Sequence, residues 1–353
     1  MLVTLAVVCL ILFFIESKSV HTVKSRFYDQ KLSAAQLSTK AFTTVKNHRL
    51  NVIGLSIDTV NDPNATGLIG LQFSSLTYAR SDLSSALTTT NPNFSAAIIE
   101  MLNSLGIKPG DTVGINWDGT FPALNIQLLA VCKVLGLEPV IVTAQSSGMW
   151  GANYPGYTWL EIERLLLKSG LWHFHSRFAT LGGEDDNGRG LPPEGRDFLI
   201  KLADSLKVPL LFSDSLLQAV ENRLNLFRNC RVLISAGLPV TNSGNPILRL
   251  PSKIYTNRHT KAGNGLIAQC ISTGKPVIHI ANPSKIALDY RLPVAPVPLP
   301  EIGRGRLFFE RRYSVRLAMV LVVFIVLLLV IVVRYDVEYY WGTKKEREEN
   351  EAV

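Results

Sequence analysis

Three consecutive acids stand between glycines in the stretch LGGEDDNGRG, at residues 181–190. Adjacent carboxylates repel one another, so a bound divalent cation or a basic neighbour would stabilise them. Glu184, Asp185 and Asp186 are therefore candidate metal ligands, and Arg189 is the basic neighbour. Their spacing differs from that of an EF-hand loop, in which the ligands alternate along the chain. Because exposed acids cost little free energy in water, a solvated turn is an equally good interpretation.

Two glycines beside these acids add a reason to expect a ligand, because glycine lets a bound molecule approach the backbone closely. They are Gly182 and Gly183. A second candidate loop, QSSGMWGANYPG at residues 145–156, also follows an apolar, β-branched run. Its candidate ligand-binding residues are Trp150, Gly151 and Asn153.

Nucleophilic catalysis is the other chemistry that the residues suggest. Ser146 and Ser147 come directly after a predicted strand, where a hydrolase places its nucleophile, and Asp118 follows another predicted strand. The stretch AQSSGM lacks the G-x-S-x-G pattern of the nucleophile elbow. His279 lies inside an apolar strand and is interpreted as a core residue. A serine hydrolase or transferase therefore stays an alternative to a binding protein.

The elements that must position these residues alternate along the middle of the chain. Short β-branched runs predict strands at residues 112–116, 139–144, 177–181, 208–212, 231–235 and 275–280. Helical patterns separate them, which predicts an α/β fold with a mainly parallel sheet and helices on both faces. Such sheets bind ligands beyond the carboxyl ends of their strands, where the loops of this chain are rich in Gly, Asn, Ser and Asp.

Two apolar runs lie at the ends of the chain. Residues 317–334 carry no charge before Arg334 and nearly cross a hydrocarbon core of about 30 Å at about 1.5 Å per residue. They are predicted to form a transmembrane helix. Residues 1–16 lack the basic start and the cleavage pattern of a secretory signal, so they are predicted to form an uncleaved N-terminal anchor.

The sequence thus predicts an ordered series of segments. They are an N-terminal anchor (1–16), a membrane-proximal segment with a helix and an entry strand near residues 51–57 (17–73), an α/β domain (74–290), a Pro-rich and basic spacer (291–316), a transmembrane helix (317–334) and a charged tail (335–353). Lysines and arginines are more numerous on the domain side of the apolar runs, which favours a cytoplasmic domain.

Charge and cysteine content exclude several classes of protein. The net charge of +8 suits attraction to anionic lipid headgroups, but no basic motif with interleaved aromatics predicts a nucleic-acid partner. The four cysteines form no C-x-x-C pair, so neither a zinc site nor a disulfide framework is indicated. No P-loop occurs, and GNGLIA at residues 263–268 follows a polar stretch, not a strand, so it is no dinucleotide fingerprint.

Several stretches resemble the poly-γ-glutamate system proteins, membrane-associated proteins that accompany the synthesis of polyglutamate capsules. The resemblance covers roughly residues 67–305 and rests on GLIG, NPNF, SSGMWGANYPGYTWLEIE, LGGEDDNGRGL, GKPVIHIANPSKIALDYRLPVAPVPLP and the closing apolar helix. One departure concerns the loop after the fifth strand. Members of the family are expected to carry a run of glycines there, whereas ISAGLPVTNSGN keeps only Gly237 and Gly244.

The resemblance implies an accessory component of poly-γ-glutamate biosynthesis or export at the inner or cytoplasmic membrane of a bacterium. The implied partners are the membrane subunits of the polyglutamate synthase, the membrane and the polymer. The resemblance implies no catalytic mechanism. Two alternatives therefore stay open: a hydrolase or transferase that acts on the polymer through a serine at the sheet edge, and a non-catalytic scaffold of the synthase complex.

Overall fold

The computed structural model describes residue 8 and residues 10–15, 18–257 and 263–350. The strands are β1 (His21–Lys24), β2 (Thr77–Ala79), β3 (Thr112–Asp118), β4 (Glu138–Ala144), β5 (Ser147–Gly148), β6 (Asn153–Tyr154), β7 (Tyr157–Thr158), β8 (Phe178–Thr180), β9 (Val232–Ala236), β10 (Lys253–Tyr255), β11 (Val277–Ile280) and β12 (Phe309–Arg312). The helices are α1 (Tyr28–His48), α2 (Leu83–Thr89), α3 (Phe94–Ser104), α4 (Pro122–Leu135), α5 (Trp159–Lys168), α6 (Pro193–Ser205), α7 (Leu216–Leu226), α8 (Leu266–Ser272), α9 (Pro283–Asp289) and α10 (Val315–Asn350). The chain divides into two compact units, Arg26–Phe308 and a smaller one made of Met1–Ser25 with Phe309–Val353.

The larger unit is built around a six-stranded sheet in the order β10-β11-β9-β3-β4-β8. Only β10 runs antiparallel to its neighbour, so the predicted mainly parallel sheet is confirmed. From β3 the chain adds β4 and β8 on one side, then returns to add β9 and β11 on the other. The direction of winding therefore reverses between β3 and β9, where a doubly wound sheet leaves a crevice for ligands.

Helices cover both faces of this sheet. Along β9, Val232 and Ile234 pack into the core that contains α1, α3 and α4, whereas Leu233 packs into a separate core with α7 and α8. Successive side chains of a strand point to opposite faces, so the two cores lie on opposite sides of the sheet. The apolar, β-branched strands are those expected for a sheet buried on both faces.

Two predicted strands are wrong. Residues 208–212 form only an isolated bridge between Ala179 and Leu210, because Pro209 has no N–H to donate to a strand ladder. Residues 51–57 do not form an entry strand, because a π-helical turn at Arg49–Ile53 follows α1 and ends at Gly54 with a left-handed φ of 72°. The antiparallel edge strand β10 was not predicted.

The larger unit extends beyond residues 74–290 at both ends. The segment predicted to lie near the membrane contains α1, whose Ala34, Ala41 and Phe42 are buried in the main core. Lys31 of the same helix is also buried, and its ammonium group donates to the carbonyl of Leu307 at 2.7 Å. The expected spacer therefore belongs to the larger unit as far as Phe308, and Leu307 lies against α1.

The smaller unit contains an antiparallel pair, β1 with β12, and the long helix α10. Among the described residues, α10 is the one helix long and apolar enough to cross a membrane, over Val315–Trp341. This agrees with the helix predicted at residues 317–334. The predicted N-terminal anchor receives no such support, and much of it (residues 1–7, 9 and 16) lies outside the described residues.

Glu163 shows how a buried acid fixes the chain before β8. This residue of α5 accepts hydrogen bonds from the backbone N–H of Ser176 at 2.7 Å and from its hydroxyl at 2.9 Å. Burial raises the pKa of Glu163 from 4.5 to about 7. Because the folded-state pKa is the higher one, the folded protein binds the proton more tightly, and this contribution to stability is lost as pH rises through about 7.

We expect Glu163→Gln to flatten the dependence of stability on pH between about pH 4.5 and 7, because glutamine cannot ionise, while its oxygen still accepts from the Ser176 N–H and its NH2 group can donate to the Ser176 hydroxyl. A shift of this size corresponds to a change of roughly 3 kcal/mol in the free energy of unfolding across that window. The measurement is urea unfolding of the full chain in detergent micelles at several pH values. Glu194→Gln, on an exposed glutamate, is the control. Identical slopes for the two variants would contradict the assignment.

Candidate functional site

A cavity of about 300 Å³ lies at the carboxyl ends of β9 and β11, beside the point where the winding reverses. Its walls come from four parts of the larger unit. They include Tyr78 of β2, Gly183 and Glu184 of the acidic loop (residues 181–190), the chain from Gly237 to Leu250, and His279 of β11. The structure therefore brings loops that are distant in sequence to one edge of the sheet, as predicted.

Asp118 ends β3 next to this cavity and is fully buried. One oxygen accepts from the backbone N–H of Thr120 at 2.8 Å, and the other accepts from the N–H of Leu238 at 3.0 Å and from the Tyr78 hydroxyl at 3.0 Å. Burial raises the pKa of Asp118 to about 6, although these hydrogen bonds oppose the rise. Both oxygens are engaged, so Asp118 positions the loop after β9 and Tyr78.

Gly237 is the residue that permits this arrangement. Its φ of 78° lies in the left-handed region, which glycine adopts without a steric penalty. A Cβ atom at this position would lie 2.1 Å from Oδ1 of Asp118. The glycine kept after the fifth strand is therefore required by the contact between two loops.

The acidic loop is anchored by one of its three acids, which is buried in an ion pair. Asp186 is buried, and its two oxygens lie 2.6 and 3.1 Å from the guanidinium nitrogens of Arg223. The hydroxyl of Thr180 also donates to Asp186 at 2.8 Å. The basic partner that stabilises the loop is thus Arg223 of α7. This paired geometry is that of a strong charge-assisted interaction.

The other two acids point elsewhere. Asp185 accepts from the backbone N–H groups of Asn187 and Arg189, and the exposed Arg189 side chain lies 3.4 Å from it. Glu184 is exposed and borders the cavity. Within the described part of the chain, no group of three or more His, Cys, Asp or Glu residues is placed to hold a metal ion. The divalent-cation site predicted at these three acids is therefore not supported.

The two candidate serines are buried and are not among the residues that line the cavity. The Ser146 hydroxyl accepts from the N–H of Gly183 at 3.0 Å, and the Ser147 hydroxyl donates to the carbonyl of Gly148 at 3.0 Å. Gly182 and Gly183 have left-handed φ values, and a Cβ at Gly182 would lie 2.0 Å from the Ser146 hydroxyl. These residues hold the acidic loop against the sheet and expose no nucleophile.

Trp150, Gly151 and Asn153 have a packing role and do not line the cavity. The Asn153 amide accepts from the N–H of Leu71 at 2.9 Å and donates to its carbonyl at 2.7 Å. The backbone N–H of Trp150 donates to the same carbonyl at 2.8 Å. A Cβ at Gly151 would lie 2.2 Å from the Ser147 hydroxyl, so only glycine fits. The loop therefore holds the chain that leads into β2.

A row of polar side chains under the cavity was not identified from the sequence. Asn116, Ser235 and His279 are register partners on β3, β9 and β11, so they lie side by side. Ser235 and His279 are hydrogen-bonded at 2.9 Å. His279 is buried, as predicted, but it also borders the cavity, and burial lowers its pKa to about 4. Polar residues near the ends of otherwise apolar strands were the signal available in the sequence.

No protein-family model, curated protein or solved structure matches this chain. The function is consequently inferred from the residues and from the geometry of the site.

We expect Asp186→Ala to lower the free energy of unfolding by about 3–5 kcal/mol, because it leaves the guanidinium of Arg223 buried without a counter-charge. Glu184→Ala, at an exposed position of the same loop, is the control and should change stability by less than about 0.5 kcal/mol. Replacing both partners, with Asp186→Leu and Arg223→Met, should recover much of the loss. Denaturant unfolding of the full chain measures all three. Equal stability of Asp186→Ala and Glu184→Ala would refute the assigned role of the ion pair.

Proposed function

We propose that this protein is a membrane-anchored accessory component of poly-γ-glutamate biosynthesis or export. The stretches that resemble the poly-γ-glutamate system proteins suggest the pathway, and the apolar helix over Val315–Trp341 supports attachment to a membrane. In this proposal the protein belongs to the cytoplasmic membrane of a bacterium, with its α/β unit on the cytoplasmic side. Its partners are the membrane subunits of the polyglutamate synthase and the polymer.

The α/β unit acts in this proposal by binding a ligand. The observation that carries it is the cavity of about 300 Å³ beside the reversal point of the sheet. Doubly wound sheets bind ligands at this point. The cavity has apolar walls, such as Leu238 and Val240, together with a few polar groups such as Asn242. Ligand sites commonly combine an apolar lining with a few polar groups that fix orientation.

Binding is better supported than cleavage of the polymer. A serine hydrolase needs an accessible hydroxyl within hydrogen-bond reach of a base. Ser146 and Ser147 are both buried, and each is hydrogen-bonded to a backbone group. A scaffold that only joins the synthase subunits would need no ligand in the cavity, so blocking the cavity separates a binding role from a scaffold role.

The anchoring part of the proposal is tested by placing charges in α10. We expect the double substitution Leu327→Arg and Val330→Arg to remove the protein from the membrane fraction, because each arginine near the centre of a bilayer costs about 2.5–3.5 kcal/mol. Leu327→Ile with Val330→Ile is the control and should stay in the membrane. The measurement is extraction of cell membranes with carbonate, followed by immunoblotting. Retention of the double arginine variant would contradict anchoring through α10.

The binding part is tested by filling the cavity. Ala281 borders it, so Ala281→Phe should exclude a ligand, whereas Leu288→Phe adds bulk on the exposed side of α9. At equal protein levels in polymer-producing cells, we expect the first variant to make at least about tenfold less polymer, since a binding loss of about 1.4 kcal/mol is tenfold. The measurement is polymer amount and chain length. Normal polymer with Ala281→Phe, but none after deletion of the gene, would favour the scaffold.

A further inference from the structure

A second recess adjoins the cavity and enlarges the space at the sheet edge. It measures about 370 Å³ and shares four wall residues with the cavity, among them Leu238, Arg249 and Ala281. Its other walls include Arg80 and Lys285. We call this second space the basic recess, and the two spaces together the crevice. A ligand larger than one amino acid would have room to extend from one space into the other.

Among the described residues, two arginines of the basic recess differ from its lysine in forming no ion pair. Lys285 pairs with Asp289 at 2.5 Å. Asp82 also lines the recess; its carboxylate accepts from backbone N–H groups at the start of α2 and forms no ion pair with either arginine. Within the described ranges, neither Arg80 nor Arg249 forms an ion pair. Both are exposed on the same recess, and Arg249 lies where the recess meets the cavity.

On the cavity side, a buried donor is left without a partner. Arg223 can only donate hydrogen bonds, so the Asn116 oxygen faces its Nε at 2.8 Å. The Asn116 amide nitrogen then faces the oxygen of Asn242 at 2.8 Å. Because the oxygen of Asn242 faces Asn116, its Nδ2 group points away as a donor. This Nδ2 group has no hydrogen-bond partner in the described part of the chain. Asn242 is 4% exposed and borders the cavity, so an acceptor oxygen there would satisfy it.

We propose that the crevice binds a carboxylate ligand, with an anionic group held by Arg80 and Arg249 and an acceptor oxygen on Nδ2 of Asn242. Guanidinium groups bind carboxylates through two parallel hydrogen bonds, which gives both strength and orientation. Glu184 borders the cavity and disfavours a second negative charge there. The ligand therefore places its carboxylates towards the basic recess and presents a neutral or cationic polar group to the cavity. This inference rests on the proposed function, under which the amino-terminal end of a γ-glutamyl chain is such a ligand: its α-carboxylates suit the arginines, and its ammonium group and first amide oxygen suit the cavity.

The experiment measures binding of tri-γ-L-glutamate to the full chain in detergent micelles by titration calorimetry. Two further probes are its analogue with every carboxylate replaced by a carboxamide, and inorganic phosphate. We expect triglutamate to bind and the neutral analogue to bind at least about a hundredfold more weakly, because the charge-assisted hydrogen bonds are lost. Higher salt should weaken triglutamate binding, because both arginines are exposed.

The variants Arg80→Gln and Arg249→Gln should each weaken triglutamate binding by about tenfold or more. Arg228→Gln changes an exposed arginine that lines neither part of the crevice and should leave binding unchanged. Three results would overturn the inference: equal binding of triglutamate and its neutral analogue, equal effects of Arg249→Gln and Arg228→Gln, or binding of phosphate without binding of triglutamate.

The binding test of the carboxylate ligand and the polymer test of the proposed function can fail independently. If Ala281→Phe reduces polymer in cells but triglutamate does not bind, the carboxylate ligand is wrong and the role in the pathway stands. If triglutamate binds through Arg80 and Arg249 but Ala281→Phe and deletion of the gene both leave the polymer unchanged, the crevice binds carboxylates and the pathway is wrong.

Discussion

The buried charge of Arg223 constrains the sheet edge more than any other group that the structure describes there. A guanidinium inside a protein must find a counter-charge and acceptors for its N–H groups, because it cannot lose its proton. Asp186 supplies the charge, while Asn116 and Thr180 accept further hydrogen bonds. These partners belong to the acidic loop, β3 and β8. One side chain of α7 therefore sets the relative positions of three segments that meet under the crevice.

The polarity of the crevice follows from this constraint. Because Arg223 only donates, the amide of Asn116 has a fixed orientation, and so has the amide of Asn242 beyond it. On the other side, Asp118 holds the backbone of Leu238, and Gly237 leaves room for that carboxylate. The reversal of strand order opens a gap in the sheet edge. The two buried acids, Asp118 and Asp186, give that gap a defined shape and a defined set of donors.

The sequence predicted the parts of the fold that depend on local patterns and missed those that depend on distant partners. Alternating apolar runs and helical patterns identified the parallel strands and the apolar part of α10 correctly. They failed at residues 208–212, where Pro209 cannot donate to a ladder. For the acidic loop, the ion pair of Asp186 was missed, because Arg223 lies 37 residues away and no local pattern indicates the pair. The role in the poly-γ-glutamate pathway stays a prediction.

The stretch SSGMWGANYPG shows why a distinctive sequence need not be a ligand site. Gly151 and Asn153 are restricted by packing: one has no room for a Cβ, and the other binds the backbone of Leu71 through both ends of its amide. Yet the same loop contributes to the crevice indirectly. Ser147 of β5 is the register partner of Thr77 in β2, and the next residue, Tyr78, lies against Asp118 at the cavity. A change in this loop would therefore reach the cavity through the position of β2.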